Sequence, residues 1–138
     1  MKTFLKKRDL LISLAIVRSQ GKIDKRGRKV RTKKAKAANL DQAARKLRKA
    51  YPPAKKGETV SPKNRAFRAE ALAVTPDAAT LALSILMRLD RKELMPSAWG
   101  YATLARLRHA RGKTERRDAA LARCKTMSSK PRRVCPRF

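Results

Sequence analysis

Apolar positions in this chain fall into short helical clusters separated by basic stretches and prolines. In the first twenty residues, Leu10, Leu11, Leu14, Ile16 and Val17 crowd nearly all round a helix running from about Thr3 to Gln20. Such a helix needs a surface to bury against, and Gly21 supplies the stop. Residues 22 to 36, KIDKRGRKVRTKKAK, carry nine Lys or Arg, one acid and no periodic apolar set. Without apolar support this stretch predicts an extended basic arm, taken as 22 to 38. Asn39 and Gln42 have capping-box spacing, and Leu40, Ala43, Ala44, Leu47 and Tyr51 follow at helical intervals. A basic amphipathic helix is therefore expected over 40 to 50, ended by Pro52 and Pro53, with a linker over 54 to 60.

Proline punctuates the second half at Pro62, Pro76 and Pro96, each suited to a first helical turn, with Ser61 and Thr75 as candidate caps. The pattern predicts helices over 62 to 73, 76 to 91, 96 to 111 and 115 to 127, the last capped by Thr114 after Gly112. Leu81, Leu83, Ile85, Leu86, Met87 and Leu89 make the second of these apolar almost all round, so it is expected to be the central buried element. The predicted fold is all-α: a small helical-hairpin, repeat-like body over 61 to 127, with long basic extensions. Its other parts are an apolar helix (1 to 21), the basic arm (22 to 38), a basic helix and linker (39 to 60) and a tail (128 to 138). The tail, SSKPRRVCPRF, has two prolines and no acid, and reads as an extended arm.

Charge changes this picture from fold to function. The 138 residues hold 38 Lys and Arg against 10 Asp and Glu, a net charge of +28. Leu, Ile, Val and Phe number 27, which with that charge lies at the compositional boundary of disorder. Self-repulsion of this size calls for a polyanionic partner and disfavours an independent soluble enzyme. The arm and the helix after it supply the candidate phosphate contacts Lys25, Arg26, Arg28, Lys29, Arg31, Lys33, Lys34, Lys36, Arg45, Lys46, Arg48 and Lys49. The tail adds Arg132, Arg133 and Arg137. Arg and Lys are nearly balanced, 20 to 18, a mixture suited to irregular folded RNA as well as duplex backbone.

Pro62 and Ser97, at the starts of successive hairpins, lie 35 residues apart, a period of the size found in helical-hairpin arrays. Residues 81 to 127 resemble a junction between pentatricopeptide-type repeats. Met87, Pro96, Tyr101, Thr103 and Leu104 occupy the places of that family's turn, proline and next helix opening, and Ala110 with Gly112 approximates the turn between paired helices. The resemblance covers about half the chain and implies a short helical-repeat fold associated with RNA. It places Thr103 at the family's first base-reading position. The second falls near Arg133, where the family's amide or carboxylate is missing, and the earlier hairpin offers Arg68 and Ala98.

Catalytic and metal chemistry find no residues to carry them. Gly112-Lys113-Thr114 ends like a phosphate-binding loop, but Leu107 stands where the first glycine is required and no strand precedes it. One histidine, His109, and two distant cysteines make neither a zinc site nor a nucleophile and base pair. Asp90 and Glu93 are flanked by Arg88, Arg91 and Lys92 and read as helix salt bridges. Cys124 and Cys135 are expected to be free thiols, as is usual in basic intracellular chains. The N-terminus is basic and acid-poor like a mitochondrial leader, yet Asp9 and its aliphatic bulk predict a helix that stays and packs.

The expected function is that of a structural RNA-binding protein of a large ribonucleoprotein, most concretely a mitochondrial ribosomal protein stabilising rRNA. Partners would be RNA and neighbouring proteins of the complex, with no cofactor, metal, small-molecule substrate or membrane. The competing expectations are a DNA-compacting, histone-like or viral core protein, and a basic accessory subunit of a membrane complex.

Overall fold

Helices form where apolar spacing follows the helical period, and stop where glycine, proline or a left-handed residue interrupts it. The structure, a computed structural model, describes residues 2 to 138, with side chains from Lys7 onward. The basic start at Lys2 and Lys6 thus lies outside the described side chains. Seven helices follow in order: α1 (Lys2–Arg18), α2 (Lys33–Ala50), α3 (Pro62–Ala73), α4 (Ala79–Arg91), α5 (Ala98–Ala110), α6 (Thr114–Met127) and the single turn α7 (Pro131–Val134). The fold is all-α; among the described residues the sole β feature is an isolated antiparallel bridge between Ile23 and Lys29.

Several ends have identifiable chemistry. Ser61 caps α3, its Oγ accepting the Asn64 N–H at 3.2 Å, and Pro62 occupies the first turn. Thr75 does not cap: its hydroxyl donates to the Ala71 carbonyl, Asp77 turns left-handed, and α4 begins only at Ala79. Helix α1 ends with Gln20 and Gly21 left-handed and the Gly21 N–H returning to the Ile16 carbonyl at 2.9 Å. A Cβ at Gly21 would also stand 2.5 Å from the Lys36 carbonyl oxygen, so glycine lets α1 and α2 meet closely.

Helices pair as α1 with α2, α3 with α4, and α5 with α6. The first helices α1, α3 and α5 touch in succession, while α2 packs on α3 and α4 on α5. Three hairpins are therefore stacked, one more than the sequence pattern predicts, because α1 and α2 form a hairpin of their own. Helix α3 joins two cores. Ala71, with Phe67 and Val74, faces Leu14, Ile16, Val17, Ala43, Ala44 and Leu47 of the first hairpin. Ala66, Ala69 and Leu72 face the other way, into a core with Ala82, Leu86, Leu89, Tyr101, Leu104 and Cys124.

The central element is α5, not α4. Ala102, Leu104 and Ala105 are fully buried, and Tyr101 donates to Asp90 Oδ1 at 2.7 Å. Burial and that carboxylate push the phenol up to about 12. Leu81 of α4 stands 48% exposed; Ala82, Leu86 and Leu89 are the buried stripe of α4, with Leu83, Ile85 and Met87 partly buried beside it. Asp90 thus serves the tyrosine and makes no ion pair with Arg88, Arg91 or Lys92.

Cys124 and Cys135 form a disulfide, Cα to Cα 5.9 Å, where free thiols are expected from the sequence. The short turn α7 brings Cys135 back onto α6, and both cysteines are buried in the larger core. Residues 128 to 138 therefore fold against α5 and α6 instead of extending.

Candidate nucleic-acid interface

The segment expected to be an extended arm is a folded loop followed by a helical turn. One Asp24 oxygen, Oδ1, accepts the N–H groups of Arg26 at 2.8 Å and Arg28 at 2.9 Å. Those two bonds hold the Asp24 carboxyl below the usual aspartate range. The Asp24 N–H reaches the Arg28 carbonyl, and Val30 N–H the Lys22 carbonyl, closing the loop. Asn39, read from the sequence as a cap, instead donates to the Gly21 and Ile23 carbonyls and fastens this loop to α2. Thr32 is the cap, accepting the Ala35 N–H, so α2 starts at Lys33 and not at Leu40.

This arrangement aims Lys25, Arg26, Arg28, Lys29 and Arg31 outward, all exposed. Lys33, Lys34 and Lys36 occupy the first turn of α2, which holds no acid. Cations at the positive end of a helix dipole are opposed by roughly 0.3–1 kcal/mol each. An anion at that end relieves the repulsion. Farther along α2, exposed Arg45 and Lys46 pair with Asp41 at 3.0 Å and Asp9 at 3.2 Å. Such surface pairs are weak and yield readily to a phosphate. Lys49 is exposed, while Arg48 is half-buried and donates to the Ala44 carbonyl. Lys25 and Lys46 line one shallow cleft, so the loop and α2 form a continuous basic region.

Arg132, Arg133 and Arg137 do not join it. They are exposed on the last hairpin, with Arg132 and Arg137 beside Lys125 and Phe138. Phe138 stacks on His109 at 4.2 Å, Arg117 lies over the same ring, and Arg117 Nη1 is 2.9 Å from His109 Nδ1. The tail arginines belong to the third hairpin, whereas the loop and α2 belong to the first.

Sequence reading missed a third cluster, Arg65, Arg68 and Arg88, which line one groove with the 52–60 connection. Arg68 and Arg88 lie 20 positions apart, and helical period alone gives no signal for the cluster. Thr103 is buried and its hydroxyl donates to the Trp99 carbonyl, so it does not present a hydrogen-bonding edge to a base. Ala98 is buried too. At Gly112-Lys113-Thr114 the N–H groups of Gly112 and Lys113 return to the His109 and Arg108 carbonyls, which removes them as phosphate donors.

Among the described residues no cluster of His, Cys, Asp or Glu could hold a metal, and no helix is long and apolar enough to cross a membrane. Comparison with known protein families, curated proteins and solved structures yields no match.

Proposed function

We propose that this protein is a structural RNA-binding component of a large ribonucleoprotein, with rRNA of a mitochondrial ribosome as the preferred setting. The observation that carries the reading is the imbalance of charge on a folded surface. Among the described residues only Arg18, Arg45, Lys46 and Arg117 form ion pairs with acids. Asp24, the sole acid of the 22–36 segment, is occupied by backbone N–H groups. Every other cation of the loop and of the first turn of α2 is left without an ion-pair partner, so RNA phosphates would displace condensed counterions there.

The two basic regions, one on the first hairpin and one on the third, suit contact with separate RNA segments. The body needs no catalytic role in this reading; it positions cations. The pentatricopeptide resemblance agrees with a helical-repeat RNA binder, but the buried Thr103 favours backbone and shape recognition over reading base by base. Ser61, Pro62 and Lys63 are the cap and first turn of α3 and not part of a condensing tail.

Affinities for structured rRNA and for duplex DNA, measured at matched salt, test the proposal. Tighter binding to rRNA is expected. Equal affinity would favour compaction, and flotation with anionic liposomes in place of RNA binding would favour a membrane-associated role.

A further inference from the structure

The groove beside the 52–60 connection combines basic and apolar lining residues. It encloses about 440 Å³. Leu81 and Ile85 of α4 form the floor, together with Pro53. Leu81 is unusually exposed for a leucine of a packed helix, at 48%. Arg65, Arg68 and Arg88 line the same groove.

Two of these arginines are anchored. Arg65 Nε donates to the Val60 carbonyl at 3.0 Å, and Arg68 Nη1 to the Tyr51 carbonyl at 3.4 Å. Each keeps further N–H donors for a ligand. No carboxylate pairs with any of the three. Glu58 is the one acid of the lining, and its Oε2 accepts the Lys55 N–H. Burial and the neighbouring Arg48 charge lower the Arg68 pKa, the mark of a cation that lacks its counterion.

We propose that this groove holds one unstacked nucleotide of single-stranded RNA, its phosphate on Arg65, Arg68 and Arg88 and its base against Leu81 and Ile85. The volume suits a ligand of that size. Three arginines lining one groove offer donors for a phosphate's several acceptor oxygens, and a guanidinium plane or an aliphatic floor can receive a base face without selecting its edge. The proposal rests on the RNA-binding reading and adds a site that discriminates single strands from duplex, since a paired and stacked base cannot enter.

The test measures affinity of the full chain for a labelled uridine strand of about ten nucleotides and for a blunt RNA duplex of equal length at one salt. The variant Arg68→Gln/Arg88→Gln is compared with Lys33→Gln/Lys34→Gln, which removes the same charge elsewhere. The groove variant is expected to lose about tenfold in strand affinity and much less in duplex affinity, while the control loses similarly on both. Leu81→Glu, at an exposed position that folding tolerates, is expected to remove the strand preference as well. Equal losses on strand and duplex in the groove variants would overturn the proposal and leave the RNA-binding reading standing. Failure of the unaltered chain to bind either RNA would overturn both. Chemical-shift changes at Leu81 and Ile85 methyls with an acidic amphipathic peptide, and none with the strand, would assign the groove to a protein partner instead.

Discussion

Arg18 and Glu70 meet across 52 residues of sequence, the guanidinium giving the carboxylate bonds of 2.8 and 3.1 Å. Arg18 also lies over the Trp99 ring at 5.0 Å, so one side chain ties α1 to α3 and α5. Burial pushes the Glu70 carboxyl upward, against the hydrogen bonds and charge of Arg18 and the charge of Arg106. Removing Arg18 strands a buried carboxylate; Arg18→Ala is expected to cost about 3–5 kcal/mol at neutral pH in denaturant melts. A carboxyl raised in the folded state binds its proton more tightly there than in the unfolded chain. The deficit should therefore shrink as pH falls toward that raised range, and a pH-independent loss would contradict this account. Asp24 works in the opposite sense. Its depressed carboxyl supports the basic loop at neutral pH, and that support is lost only as pH falls below the ordinary aspartate range. Asp24→Ala is expected to raise amide exchange at Arg26 and Arg28 and to weaken RNA binding without lowering the melting temperature of the helical body.

Most helices of the second half were legible as elements, although of α3 to α6 only α3 begins on its proline; α4 and α5 start later, at Ala79 and Ala98. Burial was less legible. An all-round apolar pattern points α4 to the centre, yet α5 takes that place because its Ala102 and Ala105 let neighbouring backbones approach. Leu104→Ala should cost about 2–5 kcal/mol, and Leu81→Ala less than about 1 kcal/mol, in the same melts. A large loss at Leu81 would restore α4 as the core helix. The disulfide was illegible, since composition speaks of compartment and not of the turn α7 that carries Cys135 to Cys124. Its closed loop spans a sequence separation of 11. Opening a loop of that size loses about 3 kcal/mol, so reductant should lower the melting temperature by on the order of 10 °C. No change on reduction would mean that the tail is held by packing alone.

For the whole molecule, a charge of +28 at the compositional edge of disorder coexists with stacked hairpins because the cations lie mainly outside the cores. The basic stretch lacks apolar support of its own, and that much was readable. Its folding depends instead on polar contacts, from Asp24 within it and from Asn39 beyond it, which no hydrophobic period reveals. The candidate interface is consequently pre-shaped on the first hairpin rather than ordered only by its partner. Neutralising such a surface makes binding steeply dependent on salt, whatever the RNA sequence. The measurement that bears most directly on the proposed function is the affinity of the intact chain for structured rRNA as salt rises from about 50 to about 200 mM. A surface making about 6–10 phosphate contacts should lose roughly 10³ or more in affinity over that range. Absence of binding, or an affinity unchanged by salt, would contradict the account.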